Sequence, residues 1–281
     1  TSPESLDAAD LERQRAGQDL LGKLIFPRLT TAWEPFRIGE MNAAWARPHR
    51  CWEKRKVVLY CHGGGYTSGS LGYSRTLAAK LSEVTGYEVL SFESRLAPEH
   101  PFPAAAEDAL RAWDHLMYLG YGARDVVVAG DSAGGNLALV LCRRLKAAGR
   151  RMPRALLLMS PWTDMTASGE SYLQREALDP MLTNRYIQSV RSAYAPDADY
   201  SHPRFSPLFA DLSGLPPTLI QVGEREILFS DSAQLQNNLI AAAVPCVLQS
   251  WPDMWHVFQM FPVKSAGEAM ASMAEFLRQL G

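Results

Sequence analysis

Short apolar runs separated by longer segments of helical period organise this chain. The runs are Val57–Cys61, Val89–Phe92, Val126–Ala129, Leu156–Met159, Thr218–Val222 and Cys246–Gln249. Most are apolar almost continuously rather than alternating. A strand buried on both faces requires that pattern, so it predicts a largely parallel sheet. Between the runs lie helices. Ala106, Leu110, Trp113 and Met117 mark one apolar stripe, and Leu137, Val140, Leu141 and Leu145 mark another, with Gly149 as its stop. Residues 230–243 and 264–280 read as two more helices. Strand and helix in alternation predict an α/β sandwich with right-handed crossovers. Open sheets of this kind gather their chemistry on loops at the carboxyl ends of the strands.

Two segments break the rhythm. Residues 1–35 read as helical and precede any strong strand. Residues 164–212 form a long insert, rich in Met, Tyr, Phe and Pro, between two runs. Together they are expected to cover the carboxyl edge of the sheet as a lid. The plainer alternative is peripheral packing. The chain divides accordingly into 1–35 (first part of the cap), 36–163 (first part of the core), 164–212 (cap insert) and 213–281 (second part of the core).

Composition narrows the class. The chain has 281 residues, 47% hydrophobic and 21% charged, which is ordinary globular usage. Its net charge of −2 lacks the basic footprint of a nucleic-acid binder. No apolar stretch approaches the roughly 18 residues that span a bilayer. The amino-terminal segment is polar, unlike a signal peptide, although it lacks an initiator Met. Cys51, Cys61, Cys142 and Cys246 lie far apart and are expected as free thiols, most of them buried. The expectation is a soluble, cytoplasmic protein. Cys51, Cys61 and His62 lack metal-ligand spacing, and no phosphate loop or dinucleotide motif is present.

Two glycine-rich motifs carry candidate chemistry. Gly130-Asp131-Ser132-Ala133-Gly134-Gly135 follows one strand and opens a helix. A serine on such a tight turn has its hydroxyl lifted out of the sheet edge, with helix amides aimed at the same place. A phosphate-binding turn is the alternative, but Gly-x-Gly-x-x-Gly spacing is absent. His62-Gly63-Gly64-Gly65-Tyr66 follows the strand Val57–Cys61. Its Gly64 and Gly65 amides, with that of Ala133, predict a three-donor oxyanion hole. His62 is expected to brace this loop rather than act as a base.

With these motifs the chain resembles the hormone-sensitive-lipase-like branch of the α/β-hydrolases, which includes the bacterial family IV carboxylesterases. Further matching stretches are Ser94–Ala105, whose prolines read as a rigid brace, Ser160-Pro161-Trp162-Thr163-Asp164 and Asp179-Pro180-Met181-Leu182. The resemblance covers roughly residues 55–281 in the expected order. It implies the α/β-hydrolase fold, a mostly parallel sheet of about eight strands with a helical cap. It also implies hydrolysis of carboxylic esters, usually of short acyl chains, without a cofactor.

A serine nucleophile needs a base and an orienting carboxylate, in this fold in the order Ser, acid, His. Only His202 and His256 follow Ser132, and His256 lies after the last strand, where the fold places its base. The family has an Asp two residues before a Leu after the preceding strand; that register selects Glu226, with Glu in place of Asp. Glu224 and Asp231 are competitors, the first paired with solvent or Arg, the second expected to cap a helix. Tyr66, Met181, Leu182, Phe205, Trp255 and Phe258 are candidate pocket residues, each equally a packing residue, and Trp255 is expected to narrow the alcohol side. The expected partner is a small-molecule ester; the last strand sits near a sheet edge where a homodimer could pair. Competing readings are an amidase or deacetylase acting on a larger substrate, a non-catalytic receptor, and an acyltransferase, which needs a second acceptor site.

Overall fold

A computed structural model describes residues 6–25, 31–49 and 55–281, so Cys51 lies outside the described residues. Among the described residues eight strands form one sheet: β1 (Ala32–Ile38), β2 (Met41–Arg47), β3 (Val57–Cys61), β4 (Glu88–Phe92), β5 (Val126–Asp131), β6 (Ala155–Met159), β7 (Thr218–Gly223) and β8 (Cys246–Trp251). Their order across the sheet is β1-β2-β4-β3-β5-β6-β7-β8. The pairs β1–β2 and β2–β4 are antiparallel, and every other pair is parallel. All six apolar runs lie on the six strands from β3 to β8.

The α-helices among the described residues are α1 (Ala8–Ile25), α2 (Leu71–Thr85), α3 (Ala104–Tyr118), α4 (Ala133–Ala147), α5 (Ser171–Gln174), α6 (Asn184–Tyr194), α7 (Phe229–Ala241) and α8 (Lys264–Gln279). Side chains alternate across the pleat, so each central strand feeds two cores. Val57, Leu59, Val126, Val128, Leu156 and Leu158 pack toward α3, α4 and α7. Val58, Tyr60, Val127, Ala129, Leu157 and Met159 pack toward α2 and α8. Each fully buried Val or Leu contributes roughly 1.5–3 kcal/mol of transfer free energy. That double burial explains why these strands lack polar alternation.

Three elements differ from the periodicity. The β1–β2 hairpin escapes it because β1 is an edge strand that buries only Ile38 and carries Pro35, while β2 is rich in alanine. The boundary expected at residue 35 falls inside β1, and helix occupies Ala8–Ile25. Helix α2 is the third. Its Tyr73, Leu77 and Leu81 face the second core, the Ser70 hydroxyl accepts from Tyr73 N at 3.2 Å, and Gly86 ends it at φ +71°.

Helix α1 is tied to the core by side chains. The Arg15 guanidinium donates twice to Glu99, at 2.9 Å each, and its Nε donates to Thr67 O at 2.9 Å. Gln14 Nε2 donates to the Tyr186 hydroxyl at 2.7 Å, and the Ser70 hydroxyl donates to Asp19. The insert 164–212 contributes α5 and α6, and Ile187, Val190 and Tyr194 of α6 join the first core. Among the described residues, no helix is long and apolar enough to cross a membrane. Cys61 and Cys142 are buried free thiols, and Cys246 is a half-buried one.

Candidate active site

The carboxyl ends of β5, β3, β7 and β8 converge on one point. Ser132 stands between β5 and α4 at φ 53° and ψ −121°, a conformation rare for a residue with a Cβ. The turn holds because α4 starts very close to β3: a Cβ on Gly134 would stand 2.0 Å from Cys61 O. Ser132 N donates to Met159 O at 2.9 Å, and Trp162 N donates to Ser132 O at 3.0 Å.

His256 follows β8 and is buried. Its Nε2 is 2.9 Å from Ser132 Oγ, and its Nδ1 is 2.8 Å from Glu226 Oε2. Glu226, fully buried in the loop after β7, takes two further donors on Oε1: Gly223 N at 2.6 Å and the Ser160 hydroxyl at 2.6 Å. Burial works against a charged imidazole. The hydrogen bond and charge of Glu226, aided by the charges of Asp179 and Asp131, overcome it and hold the His256 pKa above its ordinary value.

The loop after β3 faces Ser132. Gly64 has φ +113°, reachable only by glycine without strain, and Gly64 O accepts from Thr67 N at 3.1 Å and Ser68 N at 3.0 Å. Gly64 and Gly65 line the same cavity as Ser132, and Ala133 opens α4 beside them. Buried Asp131 anchors the loop: Oδ1 accepts from Gly63 N at 2.9 Å and the Tyr60 hydroxyl at 2.5 Å, and Oδ2 from the Tyr73 hydroxyl at 2.7 Å. Burial, then the charge of Asp131, push both tyrosine pKa values well up, so both stay protonated donors. His62 has Nδ1 2.8 Å from Gly63 O and Nε2 3.4 Å from the Ser94 hydroxyl. It stays with its own loop, away from Ser132.

The cavity over Ser132 and His256 has a volume of about 380 Å³. Met181 and Leu182 of the insert line it. They are set by Asp179, whose Oδ1 accepts from Met181 N at 2.8 Å and Leu182 N at 3.0 Å, while Oδ2 accepts from Ile227 N at 2.9 Å. Four other candidates lie off the cavity wall. Tyr66 stacks on Tyr194 at 3.8 Å between ring centres and gives its hydroxyl to Asn136 Oδ1 at 2.7 Å. Phe205 meets Phe102 edge-on at 4.9 Å. Trp255 packs edge-on against Phe261 at 5.5 Å, and Phe258 is fully buried beside Trp251. Aromatic size marked them, but their rings are already engaged by other rings. Residues outside the sequence expectation also line the wall, among them Gln14, Gly17 and Gln18 of α1, Tyr186 of α6, and Val257, Met260 and Phe261 after His256. The apolar run following His256 was the one available signal.

Of the competing acids, Glu224 is exposed and accepts from the Ser250 hydroxyl at 3.2 Å. Asp231 does not cap α7, whose N-cap position is Leu228. It is buried in the first turn, and its Oδ2 accepts from Thr163 N at 2.7 Å and Asp164 N at 2.9 Å. The described residues hold no group of three His, Cys, Asp or Glu side chains arranged for a metal ion.

Comparison with known proteins identifies the family. The family described as alpha/beta hydrolase fold matches residues 58–260. The chain is 38% identical over 243 residues to an acetyl-hydrolase of Streptomyces hygroscopicus, covering 86% of this chain and 81% of that one. It is 38% identical over 228 residues to an esterase of Acinetobacter venetianus, covering 80% and 75%. Among solved structures, an esterase from the bacterial hormone-sensitive lipase family superposes with a TM-score of 0.88 at 33% identity, over 98% of this chain and 99% of that one.

Proposed function

The chain belongs to the α/β-hydrolase family, in its hormone-sensitive-lipase-like branch, and is a carboxylic ester hydrolase; on that premise we propose that it cleaves short-chain esters through a Ser132–His256–Glu226 triad. Ser132 Oγ attacks the ester carbonyl while His256 Nε2 takes its proton. The carbonyl oxygen becomes an oxyanion, held by the N–H groups of Gly64, Gly65 and Ala133. His256 returns the proton to the leaving alkoxide, and the acyl group stays on Ser132. Water, deprotonated by the same imidazole, then releases the acid. Glu226 fixes the imidazole tautomer and stabilises its cation. One oxyanion donor is worth roughly 3–4 kcal/mol of barrier.

The observation that carries this reading is the unbroken chain of contacts from Ser132 Oγ through His256 to Glu226, 2.9 and 2.8 Å long, opening on the cavity. The short acyl preference is supported by size. About 380 Å³ is near the small end of ligand pockets, which run from roughly 300 to 1,000 Å³. The lid role of α1 and residues 164–212 is supported by Gln14 and Tyr186, which meet across the cavity wall. A panel of nitrophenyl esters from acetate to palmitate tests the reading. Hydrolysis should be fastest at the short end and fall steeply with length. A Ser132→Ala protein that cleaved nitrophenyl acetate at the wild-type rate would overturn it.

A further inference from the structure

Ser160 belongs to the Ser160–Asp164 stretch, which the reaction scheme above leaves without a part. It follows β6 directly, is fully buried, and has φ +48°. Its backbone N donates to Gln221 O of β7 at 2.7 Å. The residue before it and the residue two after it hold the nucleophile: Met159 O accepts from Ser132 N, and Trp162 N donates to Ser132 O. Its hydroxyl then reaches two other segments of the site. It donates to Glu226 Oε1 at 2.6 Å and accepts from Val257 N at 3.1 Å. The directions follow from chemistry, since a carboxylate only accepts and an amide N–H only donates.

We propose that Ser160 is a positioning residue for the hydrolysis: its hydroxyl pins the Glu226 carboxylate and the His256 loop into one frame with Ser132. This rests on the triad assigned above. Glu226 Oε1 is engaged by Ser160 and Gly223, which leaves Oε2 aimed at His256 Nδ1. Val257 is a β-branched residue at φ +51°, a conformation that persists only when its surroundings impose it. The Ser160 hydroxyl is the acceptor that its N–H finds there. Three non-glycine residues of positive φ, Ser132, Ser160 and Val257, therefore meet within one hydrogen-bonded unit. Three of the nine described non-glycine residues at positive φ thus stand where the reacting groups must be aligned, and one hydroxyl joins the parts.

The test compares Ser160→Ala, which keeps a Cβ, with Ser160→Gly, which relaxes the positive φ as well. Both are measured on nitrophenyl acetate, with kcat expressed per site titrated by a fluorophosphonate, so that unfolded protein does not count. Each should lose roughly 10–100-fold in kcat, the scale of a small misplacement of catalytic groups, with KM nearly unchanged. In a Glu226→Gln background, Ser160→Ala should cost little more, because the residue it acts through is already altered. The downfield imidazole N–H signal of His256 in proton NMR should weaken or shift in Ser160→Ala. Wild-type kcat in both single variants would overturn the proposal. So would an equal loss in the wild-type and Glu226→Gln backgrounds, which marks general destabilisation. Ser132→Ala runs alongside: its inactivity beside a fully active Ser160→Ala removes only the role of Ser160, whereas its activity removes the triad.

Discussion

At the scale of single residues, the acid–base behaviour of His256 sets a measurable limit. In the proposed reaction only the neutral imidazole accepts the Ser132 proton, and its pKa is held above the ordinary value near 6.5. The acid limb of kcat/KM for the free enzyme should therefore lie above pH 6.5. Glu226→Gln removes the attraction that raised it and leaves the burial that opposes it. The limb should move down, while kcat falls by roughly 10³–10⁴. A pH profile on nitrophenyl acetate reads both, and an unmoved limb would contradict the electrostatic account. The same shift has a stability sign. The folded state binds the proton more tightly, so this stabilisation is full below the unfolded pKa and is lost as pH rises through the folded one. Ser132 and His256 were legible because strand, glycine turn and chain order all constrain them. Glu226 needed the register of the family as well. Ser160 and Asp179 were not legible as parts of the site, because each touches a segment distant in sequence, Glu226 and Ile227 respectively.

At the scale of elements, Asp231 links α7 to the loop after β6. Burial first, and the charge of Asp164 second, push its carboxyl up to about 8, against the pull of two backbone N–H donors. Unfolded, it titrates near 3.9. Between those values the folded chain holds a proton that the unfolded chain has released, so stability falls as pH rises from about 4 to about 8. Asp231→Asn should narrow the difference between thermal midpoints at pH 5 and pH 8, and scanning calorimetry at the two pH values measures it. The strands were readable for the same reason that Asp231 was misread. Continuous apolar runs announce double burial, whereas an acid near a helix start looks like a cap until its partner loop is in place. The β1–β2 hairpin was hidden because small and exposed residues carry little period.

At the scale of the whole molecule, one helix joins the cavity wall to the Gly63–Gly65 loop. Arg15 of α1 holds Glu99 through two bonds, and this holds the Glu99 carboxyl down at about 2. The same side chain holds Thr67 O, and Thr67 N holds Gly64 O. Arg15→Met should lower kcat and raise KM together, as changes at gating elements do, with little loss of thermal stability, because the ion pair with Glu99 is partly exposed to solvent. Steady-state kinetics beside a melting curve separates the two effects. On the proposed oxyanion hole, a bulky ester that pushed α1 outward would draw Thr67 with it and unsettle the Gly64 peptide. Entry and turnover would then run on one tether, and a guest too large for the room would loosen the very grip it came to use.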